Sequence, residues 1–490
     1  IPAAELKKLI ESGEKILDPA SKMGEFAIAI VRRCAEMDIN LAPETLKDAI
    51  LAIPMCGITY EFTRKVYELL GLDVKCIALP ESMTSYDLLK VREGVAPSAP
   101  QREGRASSRP LDFARIKRIL TQNKNFNTIK IGDEVAEGEQ TMCKKIGLMI
   151  SNPPYQEKGA SGGTNDAPIY QDFSLMGARV TERYSDFIIK AAWTSTGRDS
   201  LVGPFRREMA SCCELRSMTN FIQADNVFPD AEIKGGICYY FRDGDYSGEC
   251  DYTLVQDKAV QDQRVRDLSE YDIIIRDPRT SEIVKKVLAK AKDDGNEFVS
   301  SKISADTPFG IPTNPGESKK SAFAVSTTKD KEFDTALFYL KGRNRCTAYV
   351  RSADIVKNAA DVKFDKVFIP GAYGAGEGYP HQILGEPEVA PKKSACSQTY
   401  LYAKFASHRE AVNFASYLKT RFCRILVSAI KITQHSQDRV FRFVPLQDFT
   451  VSSDIDWSKP IPEIDKQLYA KYGLTEDEQK FIESMIKPME

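Results

Sequence analysis

The sequence predicts an α/β fold built on a mainly parallel sheet, because apolar strand-like runs alternate with amphipathic helical stretches through its first half. Lys15 to Leu17, the region around Ile50 to Ile58, and Lys75 to Leu79 read as strands. Between them, Phe26 to Cys34 and Tyr60 to Leu70 carry helical apolar spacing, and Gly71 supplies a stop signal. A short helical pattern, Ala4 to Glu11, precedes the first strand. The apolar run Ile146 to Ile150 resumes the sheet and leads directly into Asn152-Pro153-Pro154-Tyr155, and alternation continues through Gly235 to Arg242. Beyond Gln261 the pattern changes to a charged helix, Ser281 to Lys292, with short strands and glycine-rich turns after it; from Ser407 the chain turns helical again. The expected division is therefore residues 1–261, an α+β region over 262–406 and a helical region over 407–490.

Two stretches read as loops. EGVAPSAPQREGRASSR, from Glu93 to Arg109, is too rich in Pro, Ser, Gly and Arg to build a core, and GASGGTND follows the Asn152–Tyr155 tetrapeptide as a flexible glycine-rich segment. The 490 residues are 42% hydrophobic and 28% charged, with no apolar run long enough to span a bilayer, so a membrane role is not expected. Eleven cysteines lack the paired spacing of zinc sites or disulfide frameworks and read as reduced, cytosolic thiols. No metal site is expected, and no acidic pair with a lysine at nuclease spacing is evident. A net charge of −1 leaves any nucleic-acid binding to local basic surfaces. The chain opens at Ile1 rather than Met, so the natural start is expected to lie upstream.

Asn152 to Tyr155 carries the most specific chemistry. An exocyclic amino group on a nucleobase is a poor nucleophile, because its lone pair is delocalised into the ring. Two acceptors that receive its hydrogens favour a pyramidal nitrogen, and Asn152 Oδ1 with the Pro153 carbonyl can supply both. Pro153 and Pro154 fix their own φ angles and so hold the acceptors without an ordering step. Tyr155 offers a flat face to a base removed from its stack. The bland alternative is a turn after a buried strand. Placement at the carboxyl end of an apolar strand favours the functional reading, since ligands of open α/β sheets gather there.

Together with the loop Asp18-Pro19-Ala20-Ser21-Lys22-Met23-Gly24-Glu25-Phe26, this tetrapeptide resembles the adenine-specific DNA methyltransferases of type I and type IIG restriction–modification systems. In that family a loop of the form D-P-x-x-G-x-G-x-F precedes N-P-P-Y. The resemblance spans roughly residues 14 to 245. It implies a Rossmann-like, S-adenosylmethionine-dependent domain followed by an α+β target-recognition region and C-terminal helices. Asp18, Pro19, Ala20, Gly24 and Phe26 would then hold the methionine part of S-adenosyl-L-methionine, Glu61 its ribose, and Asp87 with Leu88 its adenine. Asn152, Pro153, Pro154 and Tyr155 would be catalytic, with Tyr155 and Phe241 sandwiching a flipped adenine. The implied partners are double-stranded DNA and a restriction or specificity subunit or domain, in the bacterial cytoplasm at the nucleoid.

The sequence departs from the family at Lys22, where the first glycine is expected, and at Ile146-Gly147, where Phe-Asp is common. Glu61 stands later than the usual acid and reads equally well as a first-turn helix residue. Only a fragment of the upstream cofactor segment fits, so either the chain is a fragment or a partner supplies that wall. In the second half, Arg343 and Arg345, Lys419 and Arg421, and Lys431 are the candidates for DNA contact. Competing readings are an amino-methyltransferase for cytosine or protein glutamine, and a degenerate, non-catalytic DNA-binding module. Asn rather than Ser at 152 and the large C-terminal half favour adenine in DNA.

Overall fold

A computed structural model describes the chain apart from residues 38, 40, 42, 95–108, 123–124, 133–143, 158–166, 196–198, 232, 317–322, 343, 375–378 and 490. The glycine-rich segment after Tyr155 and most of the loop expected at Glu93 to Arg109 thus lie outside the described residues. The chain forms two compact units, residues 1–193 with 197–272, and residues 194–196 with 273–490. The boundary expected after residue 261 instead falls inside a strand, and residues 407–490 share the second unit with 273–406.

In chain order, unit 1 contains α1 (Ala3–Glu11), β1 (Lys15–Ser21), α2 (Glu25–Glu36), α3 (Pro43–Lys47), β2 (Ile50–Pro54), α4 (Gly57–Leu70), α5 (Ser85–Leu88), α6 (Phe113–Gln122), β3 (Ile146–Ser151), β4 (Gln156–Glu157), β5 (Ala167–Pro168), α7 (Tyr170–Val180), β6 (Tyr184–Lys190), α8 (Asp199–Ser211), β7 (Leu215–Phe221), β8 (Ile237–Asp243), β9 (Cys250–Gln256) and β10 (Ala259–Arg266). It is a mixed α/β unit around one large sheet of order β10-β9-β7-β8-β6-β3-β1-β2. Strands β2, β1, β3 and β6 pair in parallel, with Ile16 beside Ile50, Leu17 beside Met149 and Ile150 beside Asp186. Strand β8 runs antiparallel to both β6 and β7. All of β2 and nearly all of β1 are buried, as parallel strands covered on both faces must be.

Two local expectations change. Strand β1 does not stop at Leu17 but continues through Asp18 and Pro19 to Ser21, with an irregularity between Asp18 and Ser21. Pro19 lacks an amide proton, and such a residue is tolerated in a sheet where the ladder is interrupted. The strand expected over Lys75 to Leu79 is replaced by a 3₁₀ turn, Val74–Cys76, because the Asp73 carboxylate accepts from the Lys75 amide at 2.9 Å and curls the chain. Only Ile77 reaches the sheet, in a single parallel bridge to Ala52. Helix α4 ends as its sequence implies. Gly71 adopts φ 71°, and the amides of Gly71 and Leu72 bond back to Glu68 and Tyr67.

Unit 2 contains α9 (Pro278–Asp293), β11 (Thr335–Lys341), β12 (Asn344–Val350), β13 (Asp365–Pro370), β14 (Glu388–Ala390), β15 (Ser394–Cys396), β16 (Tyr400–Phe405), α10 (His408–Lys419), α11 (Arg421–Ser428), α12 (Ile461–Lys471) and α13 (Glu476–Met485). Two three-stranded sheets, β12-β11-β15 and β14-β13-β16, share a core that includes Phe309, Leu337, Val350, Phe368 and Tyr400. Among the described residues no helix is long and apolar enough to cross a membrane.

The start of α11 shows how this unit manages buried polarity. Thr420 accepts from the Cys423 amide at 3.1 Å, and Asp465 of α12 accepts from the amides of Arg421 at 3.1 Å and Phe422 at 2.9 Å. Asp465 therefore satisfies helix-end donors that would otherwise be buried without a partner. Asp465→Ala is expected to lower the stability of this unit by about 1–3 kcal/mol. Urea denaturation followed through the fluorescence of buried Trp457 would measure it, and an unchanged midpoint would remove Asp465 from this role.

Candidate functional site

The order of strands places the site. From β1 the chain adds β2 on one side and later β3 on the other, so the loops leaving β1 and β3 diverge at their carboxyl ends. Such a switch of direction opens a crevice in an α/β sheet. Both motifs singled out in the sequence stand at this end: Asp18 to Phe26 spans the end of β1 and the turn into α2, and Asn152 to Tyr155 follows β3.

At β1, Asp18 is buried and accepts from the Ala20 amide at 3.1 Å. Burial, reinforced by Glu25, pushes its carboxyl up to about 8. Pro19 and Ala20 are also buried, and the Ser21 hydroxyl meets that of Thr63 on α4 at 3.1 Å. Lys22 is half-buried; burial pulls its ammonium down, against the opposing effects of Glu25 and Asp18. Gly24 adopts φ 72° at the start of α2, and a Cβ there would lie 3.0 Å from Val66 Cγ1 on α4. The glycine therefore permits close packing of α2 on α4 as well as the tight turn. Phe26 is half-buried on the first turn of α2.

At β3, Asn152 is half-buried, and its Oδ1 is buried without a hydrogen-bond partner among the described residues. Pro153 is buried and Pro154 half-buried. The Tyr155 hydroxyl is likewise buried and unpartnered, and burial pushes its phenol upward. Its ring meets Tyr170 edge-on at 6.4 Å, and its carbonyl accepts from the Ile169 amide at 3.2 Å. The short hairpin β4–β5 continues from this loop.

Other sequence candidates fall differently. Glu61 lies on the exposed surface of α4, where its Oε2 takes Arg64 Nε at 3.0 Å and Nη2 at 2.8 Å, so it is a helix-surface ion pair. Directly after β2, Cys56 caps α4, and its thiol is pulled down by the backbone of Thr59. Asp87 closes a capping box on α5: Oδ2 accepts from the Thr84 amide and hydroxyl at 2.9 and 2.8 Å, and Oδ1 from Lys90 at 2.6 Å. Leu88 is fully buried. Phe241 packs into the core. It is 4% exposed, stacks on Tyr184 at 5.6 Å, and sits near the end of antiparallel β8, opposite the start of β6. By register it lies level with Asp186 and Ile150, two residues short of Asn152, and its ring is taken up by the core against Tyr184.

Phe228, half-buried in the loop between β7 and β8, lies at the same edge of the sheet as Asn152. That loop is braced by the β9–β10 turn. Gln223 Nε2 donates to Asp257 Oδ1 at 2.9 Å, the Asp257 amide donates to Gln223 Oε1 at 3.1 Å, and the Lys258 amide donates to Asn226 Oδ1. Gly236 closes the loop at φ 73°, where a Cβ would collide with the Phe221 carbonyl at 2.2 Å. The Gly235-Gly236 pair ahead of β8 was the available sequence signal for a reversal of chain direction.

In unit 2, Arg343 lies outside the described residues. Arg345 and Lys419 both pair with Glu386, at 3.2 and 3.3 Å. Arg421 donates to the Ile486 carbonyl at 3.1 Å, and Lys431 is buried with its ammonium 2.8 Å from the Tyr373 carbonyl. Each of the described members has an acceptor within the unit: an exposed glutamate for Arg345 and Lys419, and main-chain carbonyls for Arg421 and Lys431.

The chain is 32% identical over 116 residues to a Mycoplasma pneumoniae protein described as an uncharacterized adenine-specific methylase, a match covering 23% of this chain and 26% of that protein. The chain thus matches about a quarter of the length of this curated relative. No protein-family model matches it. Solved structures with partial similarity include a modification subunit of a putative type I restriction enzyme from Vibrio vulnificus, at 14% identity and TM-score 0.29 over 52% of this chain and 46% of that one. A nuclease-deletion mutant of the type ISP restriction–modification enzyme LlaGI with a DNA substrate mimic gives 11% and 0.47 over 96% and 45%. The type IIG restriction endonuclease BpuSI gives 11% and 0.36 over 96% and 60%.

Gly24→Ala is expected to lower the stability of unit 1 by about 1–3 kcal/mol, through the left-handed backbone and the approach to Val66. A Val66→Ala background should recover only the packing share. Urea unfolding followed by Trp193 fluorescence measures both; a fully neutral Gly24→Ala would show that neither constraint holds.

Proposed function

We propose that unit 1 is a Rossmann-like, S-adenosylmethionine-dependent methyltransferase domain that methylates the exocyclic amino group of adenine in DNA, within a restriction–modification system. The observation that carries this is the buried Oδ1 of Asn152, unpartnered among the described residues, at the carboxyl end of β3 beside the switch of direction at β1. A buried acceptor without a donor costs free energy that an incoming amine can recover. The sequence relative in Mycoplasma pneumoniae supports adenine as the target.

In this reading Asn152 Oδ1 and the Pro153 carbonyl accept the two amino hydrogens and localise the nitrogen lone pair. The bound cofactor supplies an electrophilic methyl group. Tyr155 stacks on one face of the extruded base, and Phe228 takes the role expected for Phe241. Asp18 to Phe26 holds the methionine part of the cofactor, and the α5 turn with Asp87 and Leu88 borders its adenine. Unit 2 reads the DNA target.

Asn152→Ala is expected to reduce methyl transfer to adenine by about a hundredfold or more while cofactor binding persists. Labelled S-adenosylmethionine with mixed genomic DNA, followed by nucleoside analysis, measures this. Near-normal turnover would sink the catalytic assignment, and failure of the unaltered chain to bind cofactor would favour the non-catalytic module.

The Asp18 carboxyl, at about 8, is mainly neutral at pH 7. A ligand carrying positive charge favours the ionised form, so binding below pH 8 should release a proton, and affinity should rise with pH until about 8 and then level. Calorimetry in two buffers of different ionisation enthalpy reads the release. Asp18→Asn should diminish it; identical release in both proteins would exclude Asp18 as the linked group.

A further inference from the structure

We infer that the Arg92–Asp172 ion pair is a positioning device that holds the exit of the Asn152–Tyr155 loop against the wall leading from the end of β2. The inference rests on the methyltransferase reading above and adds two residues that the motifs do not contain. Arg92 Nη2 donates to Asp172 Oδ2 at 3.2 Å, between side chains 13% and 21% exposed.

Each partner is tied to a different wall of the crevice. Asp172 lies in the first turn of α7, and its amide bonds to the Ile169 carbonyl at 3.1 Å. Ile169 in turn donates to the Tyr155 carbonyl, and Tyr170 packs edge-on against the Tyr155 ring. Arg92 follows α5, which the Ser85 hydroxyl ties to the Ile53 carbonyl of β2 at 3.2 Å. The Val91 amide bonds to the Leu88 carbonyl, and Arg92 itself bridges Leu111, with Glu93 bonded to Pro110 and Asp112 to Val91 on either side. The charge pair thus joins the two walls, beside the packing of α6 on α7.

Stability alone is a poor reason for this pair. Desolvating two charges offsets much of their attraction. Burial pushes the Asp172 carboxyl up, and Arg92 pulls it back. Helix α7 has its own anchor in buried Phe173, Met176 and Val180, which pack whether or not the pair forms. What the pair adds is a fixed distance between the α7 start and the β2 wall, and small displacements of reacting groups are costly in rate.

The test uses the full chain with Arg92→Leu, Arg92→Lys, Asp172→Asn and the Arg92→Leu/Asp172→Asn double variant. Arg92→Leu and Asp172→Asn should each lower kcat by about tenfold or more while the dissociation constant for S-adenosylmethionine changes by less than about threefold. Arg92→Lys should restore most of the rate, and the double variant should be no worse than the poorer single one. Hydrogen exchange should quicken at residues 155–157, 167 and 169–172 and not across the β1–β3 core. A kcat within about twofold of the unaltered protein, additive losses in the double variant, or exchange that quickens uniformly would overturn the inference. If the unaltered chain transfers no methyl group, the functional reading fails, and the exchange pattern alone decides whether the pair pins the loop.

Discussion

Strand β1 is hydrogen-bonded along both edges, to β2 and to β3, and the rest of unit 1 is arranged around that fact. A parallel neighbour on each side requires two crossovers that depart in opposite directions, and the gap between them is where backbone ends can meet a ligand. Burial of β1 keeps water from its last residues. Asp18 consequently holds its proton to higher pH than a surface aspartate, and Asn152, one strand over, presents an oxygen that no described residue satisfies. The chemistry of both loops follows from their position on this strand pair more than from any contact between their side chains.

Local signals in the sequence were legible where the cause is local. Gly71 stops α4 because a residue without Cβ enters the left-handed region at little cost, and the proline pair after β3 stiffens its loop by its own geometry. The burial of Phe241 was not legible for a non-local reason: its ring stacks on Tyr184 of a neighbouring strand, and nothing within ICYYFRD states that β8 pairs with β6. Lys75 to Leu79 has the composition of a strand, yet the Asp73 side chain captures the Lys75 amide first. Asp87 occupies the expected place in the chain, but its oxygens serve Thr84 and Lys90, a competition for hydrogen bonds that spacing does not reveal.

Unit 2 shows how basic side chains find acceptors within their own fold. Lys431 and Arg421 spend their donors on main-chain carbonyls, and Arg345 and Lys419 share one glutamate. Lys366 is fully buried and donates to the carbonyls of Val362 and Phe364, and Arg424, also fully buried, to those of Thr420, Lys419 and Gln382. A long side chain with several donors is the economical way to satisfy carbonyls at the ends of short helices and turns. Composition records the cation and is silent about which acceptor it has found.

The β9–β10 turn has a consequence of another kind. Asp257 and Lys258 both adopt positive φ, a conformation suited to a tight two-residue hairpin, and their amides are bonded to Gln223 and Asn226 of the loop that carries Phe228. Exposed hairpin tips are ordinarily where a lineage lengthens its chain or where an engineer inserts a tag. Here an extra residue at the tip would pull two amides out of register with a loop on the other side of β7. The tip is superficial in space and yet belongs, in its tolerance of change, with the interior: drift in length is closed to it, and sequence variation is confined to residues that keep the two-residue turn and its clasp.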